Sequence, residues 1–223
     1  MNNPDLFKQD NYVTVSKMIP TDLCKIVTKY ALLQEDSSFA PELGPEAQVL
    51  NAHSKYADTL METLLFFLRG HMEKNTGLEL VPTYSYYRVY RPGMILDRHK
   101  DRPSCEISTT ICFGYEYNVD IPDYSWGMYV DKMSINTPLG PTGEFFTSNN
   151  PGKMIQQSPG DAIVYRGCDI EHWRDPFNVG PNSYQVQGFF HYIDKNGPYY
   201  PEYAYDKRDG LGKQHVGPKG INN

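Results

Sequence analysis

The chain has 223 residues, a formal net charge of −6 and a hydrophobic fraction of 39%. That length suits one well-buried domain, and the 21 Lys and Arg, scattered without a basic run, give no electrostatic footprint for nucleic acid. The longest apolar run, Leu64 to Leu68, is far short of a membrane span, and the opening MNNPDLFKQD lacks the basic and hydrophobic regions of a signal peptide, so a cytoplasmic protein without membrane association is expected.

The stretch YVTVSKMIPTDLCKIVTKY reads as a short strand over Tyr12 to Val15, a turn at Pro20, and a helix capped by Thr21 with Leu23, Ile26, Val27 and Tyr30 on one face. Gln34 to Pro45 is polar and predicts a surface loop. Leu60, Met61, Leu64, Leu65 and Leu68 recur at helical spacing, so a second, longer amphipathic helix is expected there. From Thr83 onward strands dominate: YSYYRVY, EISTTICFGY, WGMYV, KMIQQ, DAIVY and SYQVQGFFHY are separated by turn signals such as Arg91-Pro92-Gly93 and Pro159-Gly160-Asp161. Helices followed by many short strands imply a mainly β sandwich or jelly roll with helices packed on one sheet. The expected division is one domain over 1–223, with supporting elements in 1–82, a β core in 83–192 and a Gly-, Pro- and Tyr-rich tail in 193–223 that either wraps the domain or is partly disordered. Cys24, Cys105, Cys112 and Cys168 form no CxxC pair and read as thiols of a reducing compartment, not as a zinc knuckle or disulfide framework.

The segment ILDRHKDRPSCE places His99 and Asp101 two residues apart at a strand end, where both side chains can reach one ion. Two imidazoles and one carboxylate on one face, with the opposite positions open, are the donor set of iron(II) enzymes that activate oxygen. His172, in YRGCDIEHWRDPF, is the candidate third ligand; His53 and His71 fall in the helical third, His191 in the last strand and His215 in the tail.

The ordered motifs YYRVYRPGMILDRHKD, CEISTTICFGY, SPGDAIVYRGCDIEHWRDPF and SYQVQGFFHY resemble the catalytic core of the 2-oxoglutarate- and iron(II)-dependent dioxygenases, most closely the prolyl 4-hydroxylase branch. The resemblance covers roughly Tyr84 to Tyr192 and implies a double-stranded β-helix with Fe(II) held by His99, Asp101 and His172. It further implies 2-oxoglutarate and O2 as co-substrates, ascorbate support, and hydroxylation of an unactivated C–H bond with release of succinate and CO2. The substrate would be a peptide, a protein or a small amino acid. Tyr90 matches a family tyrosine that reaches the co-substrate, with a core aromatic as the alternative. Gly160 and Asp161 match the family's structural turn.

One departure stands out. The branch carries a Lys or Arg about ten residues after the distal histidine to pair with the far carboxylate of 2-oxoglutarate, whereas Ser183 occupies that position here and no basic residue lies between Asp175 and Lys195. Arg174, two positions after His172, is the expected replacement, with Arg88 as the alternative and the small Ser183 leaving room for the longer side chain. Ser183, Gln185, Gln187 and Phe189 alternate onto one face of the last strand, directed toward the cavity. Arg98, Trp126, Tyr129 and Trp173 flank the proposed ligands and are candidate substrate contacts at the mouth, and the loops 34–45 and 133–151 are candidate covers. A cupin-like metal isomerase or hydrolase, or a non-catalytic binding module on the same scaffold, is the competing assignment; intact His99, Asp101 and His172 argue against the latter.

Overall fold

The computed structural model describes residues 2–37, 48–133 and 148–213. Its first element is a helix that the sequence patterns did not suggest, α1 (Asn3–Asp10), capped by the Asn2 side chain, which accepts from the Asp5 N–H. It buries Phe7 and leads into β1 (Tyr12–Val15). The next helix, α2 (Thr21–Ser37), begins where expected but is rotated: Cys24, Val27, Thr28 and Ala31 form its buried stripe, and Ile26 points to solvent at 63% exposure. Residues 34–37 continue this helix instead of forming a loop; the rest of the expected 34–45 loop, and most of 133–151, lie outside the described residues.

His53 lies in a strand, β2 (His53–Tyr56), and not in the helical third. Helix α3 (Thr59–Thr76) follows, with Asp58 as its N-cap and Met61, Leu64, Leu65 and Leu68 buried as the spacing predicts. Among the described residues eight further strands complete the fold: β3 (Leu80–Tyr90), β4 (Leu96–His99), β5 (Ile107–Glu116), β6 (Met128–Asp131), β7 (Lys153–Ile155), β8 (Ala162–Tyr165), β9 (Glu171–Arg174) and β10 (Tyr184–Asp194). They pair antiparallel into a six-stranded sheet ordered β1-β8-β5-β10-β3-β2 and a four-stranded sheet ordered β4-β9-β6-β7. Two facing sheets with this interleaved order are a double-stranded β-helix, the expected architecture.

Alternation along the strands divides the large sheet into two faces. Tyr87, Val89, Ile111, Phe113, Val186 and Phe190 pack against α1, α2 and α3 in the main apolar core. The opposite face carries Tyr86, Arg88 and Tyr90, paired in register with Phe189, Gln187 and Gln185, and looks into the space between the sheets. Of the tail, residues up to Lys213 are described and wrap the domain: Arg208 is buried and donates to Glu62 on α3 and to the Thr83 carbonyl on β3. Among the described residues no helix is long and apolar enough to cross a membrane, and all four cysteines are free thiols.

Candidate metal centre

His99 and His172 are directly opposed in the β4–β9 ladder, so their side chains share a face, with ring centroids 4.3 Å apart. Asp101 is not on the strand, as the spacing had suggested. It sits in the loop beyond β4, fixed by its backbone N–H donating to the Gly167 carbonyl at 2.8 Å. This brings Asp101 Oδ1 to 3.6 Å from both His99 Nε2 and His172 Nε2. Those separations are too long for hydrogen bonds and suit donor atoms converging on a common centre.

Both imidazoles are oriented for this role from behind. The Nδ1 of His99 lies 2.6 Å from the Asp97 carbonyl and that of His172 lies 3.1 Å from the Ile170 carbonyl, so each Nδ1 carries the proton and each Nε2 presents a lone pair. Burial opposes the charge on Asp101, and only positive charge beside it, on the His172 and His99 rings or, with those rings neutral, on a bound cation, holds its carboxyl below the usual carboxylate range. The donor set thus fits a divalent transition metal on residue type, orientation and charge.

A second grouping of possible donors, Asp101, Cys105 and His191, shares Asp101. Burial pushes the Cys105 thiol well above its ordinary pKa, and Tyr84 OH lies 3.0 Å from its sulfur, so no thiolate is offered. Burial likewise lowers His191 to about 4, and its Nδ1 meets Ser108 Oγ at 2.8 Å. Cys105 and His191 are thus neutral members of a hydrogen-bonded wall behind Asp101.

Deeper between the sheets, on the His172 face of β9, lies Arg174. It is fully buried; Nη1 donates to the Trp126 carbonyl at 2.9 Å and Nη2 to Gln157 Oε1 at 3.2 Å, while Nε has no hydrogen-bond partner. Among the described residues no carboxylate pairs with it: Glu171 is engaged by Arg98, and Asp175 meets the Tyr129 hydroxyl. Trp126 and Tyr90 stack toward the guanidinium, with ring centroids 5.0 and 5.8 Å from Cζ. Gln187 donates to Thr110 Oγ1 and Gln157 Oε1 and accepts from Gln185, so the polar lining is cross-linked. The Ser183 hydroxyl accepts the Asn118 N–H at 2.8 Å and serves as a tie at the start of β10. Gln157, Thr110 and Gly167 were not singled out in the sequence, because nothing local marks a residue whose partners lie tens of positions away.

The expected mouth residues divide differently. Trp126 is buried at the inner end of the space, its Nε1 donating to the Asp175 carbonyl. Tyr129 and Trp173 are opposed in the β6–β9 ladder and stack 5.1 Å apart, with Arg98 4.1 Å over the indole. Arg98 also pairs with Asp131 at 2.7 Å and with Glu171. Because these residues alternate with His172 and Arg174, they occupy the outer face of the small sheet, which corrects the expectation that they flank the substrate.

No family model matches the sequence, and no curated protein does. Solved structures match strongly in shape. A prolyl-4-hydroxylase from Pseudomonas putida superposes with a TM-score of 0.56 at 14% identity, covering 84% of this chain and 95% of the other. The epimerase SnoN from nogalamycin biosynthesis, in complex with Fe3+ and alpha ketoglutarate, gives 0.63 at 12% identity over 84% and 80%. HygX from Streptomyces hygroscopicus, with nickel and 2-oxoglutarate bound, gives 0.59 at 12% identity over 86% of each. The chain therefore has the double-stranded β-helix fold of the 2-oxoglutarate- and iron(II)-dependent oxygenases.

Proposed function

We propose that the protein is a 2-oxoglutarate- and Fe(II)-dependent dioxygenase that hydroxylates an unactivated C–H bond of an amino-acid-type substrate, releasing succinate and CO2. The observation that carries this is the convergence of His99 Nε2, His172 Nε2 and Asp101 Oδ1 on one centre, each imidazole backed by a carbonyl. Iron(II) bound there supplies the redox chemistry that couples oxygen reduction to decarboxylation of the 2-oxo acid and oxidation of the substrate.

The chain's own groups perform the binding. Arg174 holds the far carboxylate of 2-oxoglutarate through charge-assisted hydrogen bonds, for which its free Nε and buried, anion-less setting are suited. Gln157 and the Trp126 carbonyl keep the guanidinium plane fixed, so little side-chain entropy is lost on binding. Trp126 and Tyr90 exclude water from the ion pair, which strengthens it. Among neighbours of this fold, prolyl hydroxylation and epimerisation are both represented. Because Asp101 fills the carboxylate position of the donor set, that position is not vacated for halide, which favours hydroxylation over halogenation. The free thiols suit a reducing, intracellular setting.

The test is anaerobic titration of the iron(II) protein with 2-oxoglutarate, followed by oxygen exposure and assay of succinate. One metal per chain, lost in His99→Ala and His172→Ala variants that remain folded, with succinate formed only in the presence of oxygen, is the expected result. Stoichiometric metal in the folded double variant, or zinc-supported hydrolysis with no use of 2-oxoglutarate, would overturn it.

A further inference from the structure

The space between the sheets contains a second buried guanidinium. Arg88 is 3% exposed, its Nη1 donates to the Tyr90 hydroxyl at 3.0 Å, and its Nε has no hydrogen-bond partner. Rings of Tyr86, Tyr90 and Phe189 stand 5.3, 5.4 and 5.6 Å from its Cζ. Among the described residues no carboxylate pairs with it. A guanidinium keeps its charge in such a setting, and a desolvated cation without an anion is unfavourable unless something else requires it.

The two arginines meet largely different neighbours. They share Tyr90 as a neighbour; otherwise Arg174 meets Trp126 and Gln157, whereas Arg88 meets Tyr86 and Phe189. Position along β3 supports the same division. Tyr84 contacts Cys105 and His191, beside Asp101, and Tyr90 contacts Trp126, beside Arg174. Arg88 lies between these levels on the inward face, one pleat nearer the metal end than Tyr90, a step of roughly 6.7 Å along the strand. A single co-substrate with its far carboxylate on Arg174 leaves this cation, hydrogen-bonded to the Tyr90 hydroxyl, without an anion.

We propose that Arg88 is the receptor for the carboxylate of the primary substrate, so that the substrate is a small free carboxylic acid of the amino-acid type and not an internal residue of a polypeptide. This rests on the assignment of the site to a 2-oxoglutarate oxygenase with Arg174 holding the co-substrate. A carboxylate on Arg88 would anchor one end of a short molecule beside the metal, with Tyr86 and Phe189 flanking its apolar body. An internal peptide residue presents an amide there, which leaves the guanidinium without an anion.

The protein is loaded with manganese(II) and 2-oxoglutarate under argon and titrated calorimetrically with the proteinogenic L-amino acids, their carboxamides, and N-acetyl tripeptide amides. We expect at least one free amino acid to bind and its carboxamide to bind about 10- to 100-fold more weakly, the range for loss of a charge-assisted pair. Arg88→Met should abolish the preference of acid over amide and leave 2-oxoglutarate affinity within about twofold, and Arg88→Lys should recover part of the preference. Equal affinity for acid and amide, preference for the blocked peptides, or binding of no amino acid overturns the proposal. So does a loss of 2-oxoglutarate affinity in Arg88→Met like that expected of Arg174→Met, since Arg88 would then hold the co-substrate. Failure of the wild-type protein to take up 2-oxoglutarate is visible at the loading step and refutes the oxygenase assignment instead; an Arg88-dependent preference for acids measured with manganese alone would still support the carboxylate site.

Discussion

Gly167 and Asp101 are fitted to each other at the metal centre. The Gly167 carbonyl accepts the Asp101 N–H at 2.8 Å, and a β-carbon on residue 167 would overlap Asp101 Oδ2 and the Cys105 carbonyl. The absence of a side chain at 167 is therefore what lets the carboxylate approach the two imidazoles. Gly167→Ala should push Asp101 away while the sheets remain paired, lowering metal affinity about 10- to 100-fold, the usual effect of disturbing the groups behind a ligand. Manganese titration together with far-ultraviolet circular dichroism checks this; unchanged affinity in the folded variant would show that Asp101 does not depend on that contact.

Arg174 offers a prediction in which binding and stability move separately. Burial lowers its pKa, so the unliganded protein carries a guanidinium that its surroundings do not favour. Arg174→Met should weaken 2-oxoglutarate binding to the manganese form by about 10- to 100-fold. The unliganded variant should be as stable as the wild type or more so, because a buried charge gives way to an apolar chain of similar length. Saturating 2-oxoglutarate at 100 times its Kd should stabilise the wild type by about 2.7 kcal/mol and the variant by much less. Thermal melts with and without the co-substrate separate the two effects, and an equal ligand-induced shift in both proteins would count against Arg174 as the anchor.

Trp173 tests the correction at the outer face. Its indole is stacked between Tyr129 and the Arg98 guanidinium, on the side of β9 opposite His172. Trp173→Ala should cost about 1–3 kcal/mol in urea unfolding, through lost stacking and cation–π contact, and leave 2-oxoglutarate affinity unchanged. A selective loss of ligand binding without loss of stability would return Trp173 to the substrate site.

The legible parts of this molecule were those governed by local periodicity or by a compact motif. The α3 stripe at Met61, Leu64, Leu65 and Leu68 and the β10 alternation at Gln185 and Gln187 followed directly from spacing. Helix α2 was found but rotated, because Cys24, Thr28 and Ala31, which form its buried face, are small or polar and carry a weaker apolar signal than the exposed Ile26. The ligands were identified by type, yet Asp101 reaches its place through a loop tied to Gly167 and not through strand alternation. Which face of β9 is inward depends on pairing with β4 and β6, a long-range fact that the run EHWRD does not contain. The same limit hid Gln157, whose partners Arg174, Gln187 and Thr110 come from three other segments.

The docked tail supplies a pH-dependent prediction remote from the ligands. Asp206 is 4% exposed and accepts hydrogen bonds from Arg102, Ser104 and the Tyr56 hydroxyl, tying the tail to β2 and to the turn after Asp101. Burial would raise its pKa, but these donors and the Arg102 charge outweigh burial and hold the carboxyl below its usual range. The folded pKa is thus below the unfolded value of about 3.9, so the unfolded chain takes up the proton first as pH falls. The stability contributed by Asp206 is fully present above pH ~4 and is lost progressively below it, as pH falls toward the folded pKa. Asp206→Asn keeps the shape and the tolerance for the left-handed backbone at φ 56 but removes the pair with Arg102, whose side chain is 40% exposed. A cost of about 2 kcal/mol at pH 7 is expected, below the range for a fully buried pair because of that exposure. Urea midpoints at pH 7, 5 and 3 should show the gap between wild type and variant constant from 7 to 5 and narrowed at 3. A gap that persists undiminished at pH 3 would mean that the hydrogen-bond geometry of the tail, and not the charge on Asp206, holds it in place.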